Sequence, residues 1–167
     1  DFEENGCQLN KHPTPESLAA APGSIYAATK LNQEYLCQSA SEALGLDVSI
    51  LRFQNVYGEG QSLQNPYTGI ISIFFNRARQ GLGLSIFEDG EEARDFVHVS
   101  DVVDAILSAC NTKTKNEIYN IGSGIATSVN VLAEALCQIN KFDVDIKITG
   151  QYRLGDIRHN YADLKKA

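Results

Sequence analysis

The sequence predicts an α/β protein, and three observations carry the prediction. Apolar residues recur at helical spacing in four segments, short β-branched and aromatic runs alternate with those segments, and glycines or prolines punctuate the junctions. The length of 167 residues suits one domain, and a content of 43% hydrophobic and 21% charged residues is that of a globular chain able to bury a core.

Residues 1–23 hold Gly6, Pro13, Pro15, Pro22 and Gly23 with little periodicity, and read as an irregular lead-in. A long helix follows over 24–44. Ser24 is placed to cap it, Ala27, Leu31 and Tyr35 form one stripe, and Gly45 suits the left-handed residue that ends a helix. Residues 47–53 read as a strand, Gly58, Gly60 and Pro66 bracket a loop, 69–79 is helical and 84–87 a short strand. Residues 95–99 are extended, and Ser100 with Asp101 forms the expected cap and first turn of a helix ending near Cys110. Strand 117–121 comes next, Ser128 caps a helix carrying Val131, Leu132, Ala135, Leu136 and Ile139, and 144–148 is again extended. The tail over 156–167 is expected to be loop and then a turn of helix.

Net charge is −7 with acids and bases interspersed, which argues against a nucleic-acid partner. No window nears the roughly 18 apolar residues of a membrane span, and Asp1-Phe2-Glu3-Glu4 lacks a basic leader, so no membrane association and a cytoplasmic location are expected. Cys7, Cys37, Cys110 and Cys137 have neither C-x-x-C spacing nor a nearby His cluster, so neither a metal nor a disulfide framework is expected. The last three lie in helical patterns, where buried thiols are expected. His98 follows an alternating apolar run and reads as structural, and His12 and His159 have no companion for a ligand set.

Ser24-Ile25-Tyr26-Ala27-Ala28-Thr29-Lys30 sets a phenol and an ammonium four residues apart, on one face of the opening turns of the first helix. A phenol that titrates near pH ~10 serves as a base at neutrality only when a fixed cation favours the phenolate. Tyr26 and Lys30 can supply such an acid/base pair, or can be ordinary neighbours on a helix. Three further motifs follow in order: Gln54-Asn55-Val56-Tyr57-Gly58, Ala93-Arg94-Asp95-Phe96-Val97-His98-Val99, and Arg153-Leu154-Gly155-Asp156.

Together these motifs resemble the extended short-chain dehydrogenase/reductase family, in particular its NAD-dependent nucleotide-sugar epimerases and dehydratases. The resemblance runs from about residue 26 to residue 163. It implies the C-terminal part of a doubly wound Rossmann-like domain plus a small substrate-binding lobe. Residues 1–60 would be the remnant of the dinucleotide-binding domain, and 61–167 the nucleotide-sugar lobe. By resemblance, Tyr26 removes a proton from a sugar hydroxyl, NAD is the cofactor, and Lys30 steadies the phenolate and the nicotinamide ribose. Phe53 matches a position against the nicotinamide. Asn55 matches a donor to the substrate diphosphate, or is a turn residue. Arg94 and Arg153 match two arginines that grip the diphosphate, a task suited to a fork of parallel donors; a surface salt bridge is the other reading of each. Asp156 matches an acceptor from the nucleotide ribose, and Ser85 and Phe87 lie where the nucleotide base would meet a strand edge, core packing being the other reading of Phe87. Within the family, residues 54–70 look most similar to the dTDP-L-rhamnose type of dTDP-hexose 4-epimerase, with Glu59 where many relatives have Pro and Gly69 where several place a polar residue.

The family's N-terminal glycine-rich turn has no counterpart at the start of these residues. Gly122-Ser123-Gly124-Ile125-Ala126-Thr127 is the nearest pattern, with Thr in the last glycine slot. The family's catalytic Ser or Thr would fall at or before Asp1. The expectation is therefore a C-terminal fragment of a nucleotide-sugar 4-epimerase acting on a dTDP- or UDP-hexose, inactive alone. It would pair with a second copy or with a missing N-terminal half, because the first helix and strand would leave apolar surface bare. The alternative is a non-catalytic nucleotide-sugar-binding or protein-interaction module derived from such an enzyme.

Overall fold

The computed structural model of the chain describes residues 10–63, 69–111, 116–152 and 156–167. In order, the elements are α1 (Ile25–Leu44), β1 (Ser49–Phe53), β2 (Asn55–Tyr57), α2 (Ile70–Arg79), β3 (Leu84–Ile86), β4 (Ala93–Arg94), β5 (Phe96–His98), α3 (Val99–Asn111), β6 (Glu117–Ile121), β7 (Thr127–Ser128), α4 (Val129–Asn140), β8 (Ile146–Ile148) and β9 (His159–Asn160). The architecture is mixed α/β, as the sequence predicts.

Four strand pairs are parallel, and three of them form two-stranded sheets. β1 pairs β6 from Ser49↔Glu117 to Phe53↔Ile121, β2 pairs β5, and β3 pairs β8. Parallel neighbours need long crossovers, and the helices supply them. β4 lies between β7, antiparallel, and β9, parallel.

The cap residues act as their types dictate. Ser24 Oγ accepts the Ala27 N–H at 3.1 Å, Gly45 ends α1 at φ 65° with its N–H on the Ser41 carbonyl, and Ser128 Oγ accepts the Val131 N–H. Two expectations fail. α3 begins at Val99, so Ser100 sits inside its first turn instead of capping it, because the Ser100 N–H and hydroxyl turn to Nδ1 of His98 at 3.3 and 2.8 Å. The tail forms no helical turn among its described residues, because its backbone finds better partners in strands. The Ala93 N–H donates to the Arg158 carbonyl at 2.9 Å, and Thr14 and Ala162 form a bridge in which Thr14 donates to Tyr161 and accepts from Asp163.

Two apolar cores form. Phe74 and Ala78 of α2, Leu84 and Ile86 of β3, and Val129, Ala133, Leu136 and Cys137 of α4 make the first. Val97, Val102 and Ile121 make the second, with Leu51, Val56, Ala105 and Tyr119 against them. The second core joins elements on both sides of residue 60. α1 belongs to neither core. Of its twenty residues only Ser41 is buried, and Ile25, Tyr35, Leu36 and Leu44 are exposed. It is moored by polar contacts instead: Glu34 takes two parallel bonds from Arg52 at 2.9 and 2.7 Å, and Ser41 Oγ lies 2.7 Å from the Leu46 carbonyl and from Asn116 Oδ1. The bare face of α1 also corrects the thiol expectation. Cys37 and Cys110 are exposed because α1 and α3 turn those positions outward, and Cys137 alone of the described cysteines is buried; Cys7 lies outside the described residues. No helix of the described residues is long and apolar enough to cross a membrane.

Candidate functional site

Asp95 organises the centre of the site. It lies between β4 and β5, is fully buried, and both carboxylate oxygens are used. Oδ1 accepts the Ser123 N–H and hydroxyl, each at 2.7 Å, while Oδ2 accepts the Gly124 N–H at 3.0 Å and the Ala162 N–H at 3.2 Å. A buried carboxylate persists only when so satisfied. The Gly122–Gly124 loop thus cradles an anion, but the anion is Asp95. Gly122 is required for the approach, since a Cβ there would stand 2.5 Å from Asp95 Oδ2 and 2.8 Å from Gln54. The main chain of Asp95 also sets Asn55, whose N–H and Nδ2 both donate to the Asp95 carbonyl at 2.9 and 3.1 Å.

One residue earlier, Arg94 reaches the tail. Its Nη1 donates to the carbonyls of Ala93 at 2.9 Å and Arg158 at 3.0 Å, and its Nη2 meets Asp156 Oδ1 at 2.8 Å. Arg94 is mostly buried and Asp156 half exposed, so the carboxylate stands at the open side of the guanidinium. Arg158 is held in turn by Glu88 and Asp89: Nη1 reaches Glu88 Oε2 at 2.8 Å and Asp89 Oδ1 at 3.1 Å, and Nη2 reaches Asp89 Oδ2 at 2.7 Å. The Arg158 hydrogen bonds hold the Asp89 carboxyl down at about 2, helped by the Glu91 N–H. Glu92 behaves oppositely. It is buried, its Oε2 has no partner among the described residues, and burial pushes its carboxyl above the usual range. Burial also lowers the His159 imidazole, both of whose ring nitrogens are buried without a partner among the described residues.

Tyr26 and Lys30 do share a face of α1. Lys30 Nζ stands 5.5 Å from the Tyr26 ring centroid, within cation–π reach, and also lies 3.5 Å from Gln33 Oε1. Tyr26 is 72% exposed. Among the described residues no hydrogen bond or ion pair joins this pair to Arg94 or Asp156. Phe53 ends β1 half exposed, opposite Ile121. Ser85 points outward from β3 between buried Leu84 and Ile86, and Phe87 follows it half exposed, so Phe87 is not a core residue. Arg153 lies outside the described residues. His98 is held by its surroundings as expected, with its ring edge-on to Tyr57 at 5.3 Å and its Nε2 3.3 Å from Glu59.

The structure therefore unites Asn55, Arg94 and Asp156 through Asp95 and the tail, and adds residues that sequence reasoning missed. Asp95 had a signal: a charged residue inside an apolar alternating strand must be satisfied by something. Arg158 and Asp89 had none, because their meeting depends on the tail pairing with β4 across about seventy residues of chain.

The sequence model of the NAD dependent epimerase/dehydratase family matches residues 6–122, and the chain belongs to that family. It is 41% identical to the dTDP-L-rhamnose 4-epimerase of Burkholderia thailandensis over 87% of this chain and 40% of that one. Among solved structures, the UDP-glucose 4-epimerase of Thermotoga maritima, determined with UDP-glucose, superposes with a TM-score of 0.87 at 36% identity, covering 95% of this chain and 50% of that one. The UDP-glucuronic acid 4-epimerase of Bacillus cereus, determined with UDP-glucuronic acid and NAD, superposes with a TM-score of 0.83 at 25% identity, over 95% of this chain and 50% of that one. The chain thus spans about half the length of the relatives it matches.

Proposed function

We propose that this chain is the substrate-binding and acid/base portion of an NAD-dependent nucleotide-sugar 4-epimerase for a dTDP- or UDP-hexose. It becomes active when joined to a dinucleotide-binding portion. The observation that carries the reading is the Arg94–Asp156 pair. Its guanidinium is mostly buried and fixed by two carbonyls on one edge, while the other edge faces an anion at the surface. The remaining Nη2 edge of this fixed guanidinium suits a diphosphate oxygen, with Asp156 freed to accept from a ribose hydroxyl. Asn55, fixed through its Nδ2, completes the grip, to which the family resemblance adds Arg153, and Ser85 with half-exposed Phe87 offers the base an edge and a ring.

The residues present fit a nicotinamide cofactor: Tyr26 and Lys30 lie open on α1, and the end of β1 at Phe53 is open too. NAD supplies the hydride acceptor and donor when bound. Tyr26 takes the proton of the sugar 4-hydroxyl and later returns it, and the Lys30 ammonium favours the phenolate during that transfer. The pair is expected to reach neither partner until a second portion covers α1, so the isolated chain is expected to be inactive. Joining the chain to the N-terminal portion of a family member should produce NAD-dependent inversion of a dTDP- or UDP-hexose at C4, and Tyr26→Phe should slow it by about 10²–10⁴-fold. Inversion by the chain alone, or inversion at an undiminished rate by the Tyr26→Phe form, would contradict this assignment.

A further inference from the structure

We infer that Arg158 is a positioning residue for the diphosphate grip: clamped by Glu88 and Asp89, it fixes Arg94 through its own backbone carbonyl. The inference rests on the reading of Arg94 as the diphosphate ligand and adds a residue to it. Five contacts carry it. The side chain of Arg158 is anchored on the loop between β3 and β4 by three charged bonds, to Glu88 Oε2 at 2.8 Å and to the two oxygens of Asp89 at 3.1 and 2.7 Å. Its main-chain carbonyl receives Arg94 Nη1 at 3.0 Å and the Ala93 N–H at 2.9 Å.

A single residue thus links an acidic clamp on the β3–β4 loop to the Arg94 guanidinium. The bond to Arg94 is made by the main chain, so its strength depends on where the tail sits, and the clamp determines that. Arg158 is mostly buried, and its Nε has no partner among the described residues, so the two Nη atoms carry the whole attachment. An ammonium offers no such fork, and a lysine at this position reaches one carboxylate only. Asp156, two residues earlier in the same segment, lies at the open edge of Arg94. Both Nη atoms of Arg158 are taken by Glu88 and Asp89, so its effect must appear through Arg94.

The test uses the full chain and three ligands, UDP, UMP and uridine, in calorimetric titrations. Arg158→Ala should weaken UDP at least tenfold while changing UMP and uridine less than threefold. Arg94→Ala should do the same, and the double variant should lose no more than either alone. Arg158→Lys should regain part of the UDP preference, and Asp89→Asn should lie between it and the parent. Equal loss for all three nucleotides, additive losses in the double variant, or an unchanged UDP-to-UMP ratio in a folded Arg158→Ala protein would overturn the positioning role. An Arg94→Ala protein that keeps its UDP preference would instead overturn the diphosphate reading itself. A second measurement needs no ligand. Exchange of the Arg94 side-chain N–H protons, followed by NMR, should quicken about tenfold in Arg158→Lys and Asp89→Asn; unchanged exchange would overturn the inference even if one variant binds poorly.

Discussion

α1 and α4 are both capped by a serine at the expected place, yet they sit in the protein in opposite ways. α4 buries Val129, Ala133, Leu136 and Cys137 against α2 and β3, whereas α1 buries Ser41 alone and shows Ile25, Tyr35, Leu36 and Leu44 to solvent. Burying such a side chain contributes ~1.5–3 kcal/mol, so α4 is held by its core and α1 by the Glu34–Arg52 fork and the Ser41 contacts. The difference separates two tasks. The region proposed to grip a diphosphate is supported within this chain, whereas the helix that carries Tyr26 and Lys30 leaves apolar side chains exposed.

Tyr26→Phe gives the largest expected effect. In the completed enzyme, loss of the acid/base hydroxyl should lower turnover by about 10²–10⁴-fold, while the melting temperature of the chain stays unchanged because Tyr26 is largely exposed. Steady-state kinetics and calorimetry check the two halves of that statement. Leu84→Ala against Leu36→Ala sharpens the contrast between cores and bare helix. The first should cost about 2–5 kcal/mol and the second within about 0.5 kcal/mol in urea unfolding, since Leu84 is 1% exposed and Leu36 60%. Comparable costs would break the comparison.

Asp95→Asn should cost about 3 kcal/mol, because an amide nitrogen would then face N–H groups of Ser123, Gly124 or Ala162. Glu92 gives the smallest effect and a pH signature. Its folded carboxyl holds a proton more tightly than the unfolded chain does, so the native state binds more protons, and stability should fall as pH rises from the ordinary value of 4.5 through the raised one. Glu92→Gln should remove that slope and raise stability at neutral pH by about 1 kcal/mol, leaving it unaltered at pH 4. Asp89 runs the other way: its lowered carboxyl stabilises the fold above the ordinary range, and that contribution is lost as pH drops toward about 2.

The elements governed by local chemistry were legible in the sequence. Ser24, Gly45 and Ser128 set helix ends that depend on neighbouring backbone, and strand 117–121 came out unchanged because its β-branched and aromatic run is bounded by turn residues. The start of α3 was misread because Ser100 is a good cap by type, and only the tertiary position of His98 diverts it. β9 was missed for a related reason. A two-residue strand has no periodicity, and it exists only because β4 lies beside it. Site residues followed the same division: Tyr26 and Lys30 meet through helical spacing alone, Arg94 and Asp156 through motifs, and Arg158 through a long-range pairing that no local pattern encodes.

The most direct test of the division between a supported grip and an uncovered helix is the melting temperature of the chain with UDP and, separately, with NAD. Saturating UDP, at about one hundred times its dissociation constant, should stabilise the fold by about 2.7 kcal/mol, and NAD should leave it unchanged. A rise with NAD and none with UDP would contradict the account.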